Sequence, residues 1–425
     1  MSFTLYVGVD WADRKHRVCA CSAAGEVLWE GDVEHDAVAL SKLANHLTKM
    51  VDGDAARIAV AIETPRGPIV STLVERGMAV FAVNPKQLDR FRDRHTVAGA
   101  KDDRRDAFVL SDSLRTDEKL YRRVRLCDAD ILELRELVRA REDLIRDRIA
   151  YGNRLRDQLV RYYVQVLDLG SVYDEVWLWD LLERGPTPAE GSALSIAKIR
   201  SILKAHHIRR IDAEGVREIL RRPPLVVAPG VASAAARNVK IEIAVLRTLH
   251  RSIKELDEAI ETRLEELTHD DPEMPDEERK KHRDARVLLS FPGVGTVVGA
   301  TMLSEAWEAL ERRDYQALRR ECGTAPVTHQ SGKRLAVSFR HACNQRLRNA
   351  VFYMSKRIIA LDARSREHYA TLRARGASGA RALRGVADRL LKVIIAMLSS
   401  GETFDPTKRL PRGQPPVAVP ASGLA

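Results

Sequence analysis

The sequence predicts an α/β N-terminal part built on a mixed sheet, then long helices, then a mostly α C-terminal module. Three observations carry this expectation. Residues 3–93 alternate strand-like and helix-like patterns, two later stretches hold helical spacing over many turns, and a glycine-containing turn at 292–295 joins two apolar helices.

Residues 3–9 alternate apolar positions and read as a strand. "HRVCACSAAGEVLWEGDV" reads as two strands around a turn at Ala23–Gly25, a β-hairpin. "ARIAVAIE" (56–63) is apolar on both faces, which suits a central strand. "PIVSTLVERG" reads as a helix ending at Gly77, and "MAVFAVNP" as a further strand. Another helix covers about 85–93, and "AKDDRRDAFVLSDSL" (100–114) begins the next. A hairpin followed by alternating helix and strand gives a mixed sheet with helices packed on it.

From about 128 to 167 the pattern is wholly helical, with Ile131, Leu134, Val138, Ile145, Leu155 and Leu159 spaced among many charges. A second run at about 237–268 places Leu246, Leu249, Ile253, Leu256, Ile260 and Leu267 close to a coiled-coil seam, broken by Arg263. The two runs suit pairing as an antiparallel hairpin or association between subunits. Residues 168–235 read as an irregular, partly helical connection, and 269–284 as a charged linker. The expected domains are 1–125, a coiled-coil region at 126–270, a C-terminal module at 285–400, and a tail at 401–425 whose Pro, Gly and Ala content predicts disorder.

The 425 residues include 70 Lys plus Arg against 60 Asp plus Glu, a net charge of +10 that points to a polyanionic partner. The five cysteines form no CxxC pair and have no histidines at zinc-ligand spacing, so they read as reduced thiols of a cytoplasmic protein. "MSFTLYVGVD" lacks the features of a signal peptide, and no apolar run is long enough to span a bilayer.

Asp10 ends the first strand and Glu63 the fourth, so both carboxylates are expected at one edge of the sheet. Asp103 and Asp106 lie three apart at a helix start, on one face. Together the four offer an oxygen-rich cage suited to Mg²⁺ or Mn²⁺. Two such ions about 4 Å apart stabilise the attacking and leaving oxygens of a phosphoryl transfer. Singly, each acid has a plainer role as a strand end, a turn residue or a helix-start acid favoured by the dipole. Asp102 reads as the cap of that helix, and Arg104 and Arg105 as charge balance or a grip on DNA.

In the C-terminal module, "SFPGVGTVVGA" resembles a helix-hairpin-helix, in which Gly293 and Gly295 let backbone N–H groups approach a phosphate. Ser331 in "HQSGKR" is a candidate nucleophile. Lys333, Arg334, Arg340, Arg346 and Arg348 are candidate phosphate contacts. No GxSxG elbow surrounds the serine, which leaves a lipase-like hydrolase without support.

The segments "YVGVDWADRKHRVCA", "AIETPRG", "NPKQLDRFR", "AKDDRRDAFVL" and "SFPGVG…CGTAPVTHQSGKR…RHACNQRLRNAVF" together resemble the DEDD transposases of insertion-sequence family 110, relatives of the Piv and MooV invertases. The resemblance covers roughly residues 3–125 and 285–360. It implies a RuvC/RNase H-like N-terminal domain whose tetrad, matched by Asp10, Glu63, Asp103 and Asp106, binds Mg²⁺. It also implies a coiled-coil region and a C-terminal transposase domain in which Ser331 matches the nucleophile joined to a DNA end. Further implications are donor and target DNA, a noncoding bridge RNA, a homo-oligomer (dimer or tetramer), and action at the bacterial nucleoid. The resulting expectation is a DNA recombinase. The alternative is a Holliday-junction-resolvase-like nuclease using the same acids with water as nucleophile. A sugar or acyl-phosphate kinase, which a phosphate-binding hairpin at 8–28 resembles, would need a second actin-like domain that the sequence does not offer.

Overall fold

The computed structural model describes residues 3–95, 102–228, 230–269, 273–332 and 334–409. The chain divides into two compact units, Met1–Cys127 and Asp128–Ala425.

The first unit holds strands β1 (Leu5–Asp10), β2 (Lys15–Ser22), β3 (Val27–Glu34), β4 (Ile58–Ile62), β5 (Ala79–Ala82) and β6 (Arg122–Arg123). They form one sheet in the order β3-β2-β1-β4-β5-β6. β1, β2 and β3 are antiparallel, β1–β4 and β4–β5 are parallel, and β6 closes antiparallel on β5. The predicted hairpin turns at Gly25, whose φ of 91° is open to glycine and strained for L-residues. β4 is fully buried, as its two apolar faces predict.

Helices α1 (Ala37–Lys49), α2 (Pro68–Glu75), α3 (Pro85–His95) and α4 (Asp103–Asp117) accompany the sheet. α1 is absent from the sequence-based expectation. Its signals are Asp36, whose carboxylate caps Ala39 N–H, and the buried stripe Leu40, Leu43, Ala44 and Leu47. The sheet buries two layers of side chains. One gathers Val7, Val9, Ile58, Val60 and Ile62 with α1 and α2; the other gathers Ala59, Ala61 and Phe81 with Val109, Leu110 and Leu114 of α4.

The second unit is mostly helical. α5 (Ala129–Tyr162) and α10 (Val231–Thr268) run antiparallel: Arg141 pairs with Asp257, and Arg263 pairs with Glu133 and lies 3.6 Å from Asp130. Between them come α6 (Val176–Arg184), α7 (Pro188–Ser192), α8 (Ile196–Ala205) and α9 (Ala213–Leu220). The region read as irregular and partly helical holds these four helices, which close over Tyr162, Trp177, Trp179 and Leu246 in one core. "RGPTPAEGS" hides its helix because Pro and Gly mask it, yet Thr187 and Glu190 form a reciprocal capping box.

α11 (Asp276–Leu289) occupies most of the expected charged linker. Asp276, Glu278, Arg279 and Lys280 are exposed, Lys281 and Asp284 pair with Asp128 and Arg313, and His282, Ala285 and Leu288 are buried, with His282 Nδ1 2.8 Å from the His269 carbonyl. α12 (Thr296–Glu305), α13 (Trp307–Glu311) and α14 (Tyr315–Glu321) lead to a hairpin of β7 (Val327–Ser331) and β8 (Arg334–Ser338). α15 (Gln345–Leu361), α16 (Ala363–Ala374) and α17 (Gly379–Ser400) complete the unit.

Of the tail expected to be disordered, 401–409 is structured. Gly401 ends α17 at φ 73°, and Phe404 packs edge-on against Phe291 at 5.2 Å with its N–H on Ser290 Oγ. The remainder, 410–425, lies outside the described residues. Among the described residues no helix is long and apolar enough to cross a membrane.

Candidate functional site

The site begins with the register of the two central parallel strands. Val9 pairs with Ile62, so Asp10 and Glu63 are the next residues of neighbouring strands. Adjacent strands lie about 4.8 Å apart, and registered residues point to the same face. The face is set by Gly8, two residues before Asp10 on the same side of β1. A Cβ at Gly8 would fall 1.9 Å from the Ala107 carbonyl oxygen, so the absence of a side chain lets α4 lie directly on β1. Asp10 and Glu63 therefore face the α4 layer.

α4 runs antiparallel to β1. Its C-terminal Arg115 reaches the β2–β3 turn at Gly25, while Ala107 lies over Gly8. Its N-terminus thus points toward the end of β1 where Asp10 stands. Asp102 caps the helix by accepting from Arg104 N–H at 3.2 Å, the role expected of it. Asp103 is exposed in the first turn, whereas Asp106 is 1% exposed.

Asp106 is held by a residue that the sequence analysis did not single out. Arg92 of α3 grips it with both arms, Nε to Oδ1 at 2.6 Å and Nη2 to Oδ2 at 2.7 Å. Burial works against the Arg92 cation, but Asp106, Asp89 and Glu63 around it hold its guanidinium above the ordinary value. Arg92 therefore stands as a positive charge among the acids. Its signal lay in the sequence all along, in the "NPKQLDRFR" segment.

A second unanticipated residue fixes the loop after Asp10. His16 is fully buried on β2; its Nδ1 accepts from Ala12 N–H at 3.3 Å, and its Nε2 lies 2.8 Å from His35 Nδ1. With Nδ1 accepting, the proton sits on Nε2, the neutral tautomer. Burial, then His35, pushes its pKa down.

Arg104 does not extend freely from the helix. It forks onto Glu30 of β3, Nε to Oε2 at 2.7 Å, and Arg17 approaches the same carboxylate at 3.2 Å. The Arg104 hydrogen bond holds Glu30 below the usual carboxylate range. Arg105 is half-buried and engaged.

The donor set at this edge suits a hard divalent cation, because carboxylate oxygens are what Mg²⁺ and Mn²⁺ prefer. Among the described residues no three His, Cys, Asp or Glu stand close enough together to hold one ion. Each oxygen of Asp106 accepts one bond from Arg92, which leaves each a second lone pair.

In the second unit, Ser331 is exposed at the tip of the β7–β8 hairpin, whose two-residue turn has Gly332 at φ 56°. The hairpin is not among the sequence-predicted elements. Register places Arg334 opposite Ser331 and His329 two residues before it on the same face. His329 Nε2 lies 3.1 Å from Ser338 Oγ. Lys333 lies outside the described residues, as does the side chain of Arg334.

Arg346 is committed to α5, 2.9 Å from Glu142 and 2.8 Å from Asp143. Arg340 keeps a buried Nε without a partner among the described residues. Arg348 borders a cavity beside Gly323. Gly293, at φ 89°, packs against α15, where a Cβ would meet the Met354 carbonyl at 3.0 Å. Gly295 opens α12 with nothing near its Cβ position. α15 is placed by Glu305, which takes Arg139 at 2.6 Å and Asn344, the α15 cap, at 2.6 Å. Burial raises the Glu305 pKa, but Arg139 and Asn344 more than offset it and hold the carboxyl low.

Two family models match the chain: a DEDD transposase model of the IS110 type over residues 7–164, and the "Transposase IS116/IS110/IS902 family" over 285–370. The y4uE protein of Sinorhizobium fredii, a transposase by name, is 43% identical over 56% of this chain, which spans 64% of that relative's length. The IS117 mini-circle protein of Streptomyces coelicolor is 31% identical over 95% of this chain and 96% of its own length. The IS116 protein of Streptomyces clavuligerus is 27% identical over the same shares. With both ends of the chain matched and a relative similar over nearly its whole length, this protein belongs to the IS110/IS116/IS902 transposase family.

Proposed function

We propose that the chain is the transposase of an insertion sequence, a recombinase that cuts and rejoins DNA through a carboxylate site and a serine nucleophile. The observation that carries this reading is the sheet edge. Asp10 ends β1, Glu63 directly follows the neighbouring parallel strand β4, and α4 starts toward that edge with Asp103 and Asp106. The strand order supports a RuvC/RNase H-like reading of residues 1–125. The antiparallel pair of long helices supports a coiled-coil region at 126–270, and 285–400 is read as the transposase domain with a helix-hairpin-helix-like turn.

Asp10, Glu63, Asp103 and Asp106 are the residues that would hold Mg²⁺ or Mn²⁺. When bound, such an ion neutralises charge on the scissile phosphate and on the leaving oxygen. The chain's own groups do the rest. His16 fixes the loop that follows Asp10, and Arg92 holds Asp106 in place. Ser331 Oγ attacks phosphorus: the Oγ–P bond forms, the P–O bond to deoxyribose breaks, the hydroxyl proton leaves to water, and the departing sugar oxygen takes one up. The phosphoserine ester retains the bond for rejoining to another strand. Arg340 and Arg348 hold backbone phosphates. The partners are donor and target DNA, a bridge RNA, and further copies of the chain that let the acidic edge of one subunit serve the serine of another. The place of action is the bacterial nucleoid.

The nuclease alternative draws on one observation: Ser331 is exposed and no base holds its hydroxyl among the described residues. Ser331→Ala separates the two readings. Recombination is expected to fall at least about a hundredfold, since the serine carries the bond exchange. Strand cleavage at the wild-type rate in Ser331→Ala would favour water as nucleophile.

A further inference from the structure

A cavity of about 520 Å³ opens in the second unit between α15, α17 and the segment after β8, away from the Ser331 turn. Its walls include Phe339, Phe352 and Leu383, and its polar groups include His341, Arg348 and Arg384. No Asp or Glu lines it. Nearby Asp388 is already committed, taking both arms of Arg319 at 2.9 and 3.0 Å and the Thr324 hydroxyl at 3.0 Å.

Arg384 is the informative residue. Its guanidinium lies over the Phe339 ring at 4.2 Å, yet its Nη1 is buried with no hydrogen-bond partner among the described residues. Burial and neighbouring Arg381 weaken this cation. A buried charged donor left unpaired is costly, so a wall built this way favours an incoming anion or carbonyl acceptor. Beside it, Phe352 is 46% and Tyr353 63% exposed, with rings 5.7 Å apart and edge-to-face. Exposed aromatics next to arginines make a platform on which bases of any sequence stack.

The geometry points to a binding site for one unpaired nucleotide, its base against Phe339 and Phe352 and its phosphate on Arg384 and Arg348. The volume falls in the range of small-ligand pockets, room for a single nucleotide but not for a base pair within a duplex. The charge of the lining complements a phosphate, and no acid opposes it. The inference rests on the reading that the chain acts on nucleic acid, and adds that part of that nucleic acid is presented as an extruded or single-stranded nucleotide.

The test measures binding rather than cleavage, so loss of catalysis does not bear on it. Full-length protein is titrated into fluorescein-labelled oligo-dT, oligo-rU and a blunt duplex, and anisotropy is read. Arg384→Met and, separately, Phe352→Ala are expected to weaken single-strand binding about tenfold or more, as loss of one stacked or phosphate-held base does. Duplex binding stays within about threefold, the spread of a contact not made. The strand bound more tightly by the wild type identifies DNA or RNA as the source. Unchanged single-strand affinity in both variants overturns the site, as does equal loss on the duplex. Phe352→Ala alters an exposed ring, so it reports even where Arg384→Met does not fold.

Discussion

At the scale of single residues, the acidic edge is governed by a cation. Arg92 pairs with both oxygens of Asp106, a nearly inaccessible carboxylate. Removing one partner of such a pair leaves a buried charge uncompensated, at a cost of roughly 3–5 kcal/mol. Arg92→Ala is therefore expected to lower the urea midpoint of the apoprotein. Mn²⁺ should then restore more stability to Arg92→Ala than it adds to the wild type, because it replaces the missing charge. Equal Mn²⁺ effects on both proteins would detach Arg92 from the proposed metal site. His16 carries a pH dependence whose sign follows from its lowered pKa. The folded state takes up the proton less readily than the unfolded state, so His16 supports the fold above about pH 6.5, the unfolded value. That support is lost as pH falls further, through the folded-state pKa. Urea midpoints at pH 7.5 and 5.5 should differ less in His16→Gln than in the wild type.

At the scale of elements, one close approach places the site. α4 reaches the sheet because Gly8 has no side chain, and its N-terminal acids reach the edge because of where it lies. Gly8→Val is expected to destabilise the N-terminal unit by about 3 kcal/mol or more, since the new atoms overlap backbone and not a flexible side chain. Circular dichroism melting checks this; an unchanged melting point would mean that α4 is not held on β1. This scale also shows what was legible in the sequence. β1, β2, β3, β4, β5, α2, α3 and α4 were readable because strand alternation, Gly25 and Gly77, and the Asp102 cap are local signals. α1 was passed over although its cap and stripe are of the same kind. The helices at 176–220 were only partly legible because Trp177, Trp179 and Tyr162 find their partners far along the chain, and Pro186, Pro188 and Gly191 interrupt the pattern. The β7–β8 hairpin was missed because its residues are mostly exposed and lack the apolar alternation that marks a half-buried strand.

At the scale of the whole molecule, a basic chain of net charge +10 carries the acidic sheet edge in one unit and the exposed Ser331 in the other, and the proposed function divides the work between them. Asp10, Glu63, Asp103, Asp106 and Ser331 could be nominated from sequence because each sits at a strand end, helix start or glycine turn. The grip of Arg92 on Asp106, the tie of Arg104 to Glu30, and the loss of Arg346 to Glu142 and Asp143 could not, because each is a contact between distant segments. The central claim is that Ser331 forms a phosphoester with DNA under control of the acidic edge. Its most direct measurement is denaturing electrophoresis of full-length protein incubated with labelled DNA ends, Mg²⁺ and copurifying RNA, followed by peptide mass spectrometry of any adduct. The account predicts a covalent protein–DNA species attached at Ser331, absent from Ser331→Ala and reduced at least about a hundredfold in Asp10→Asn. DNA cleavage with no adduct, or an adduct that persists in Ser331→Ala, would contradict it.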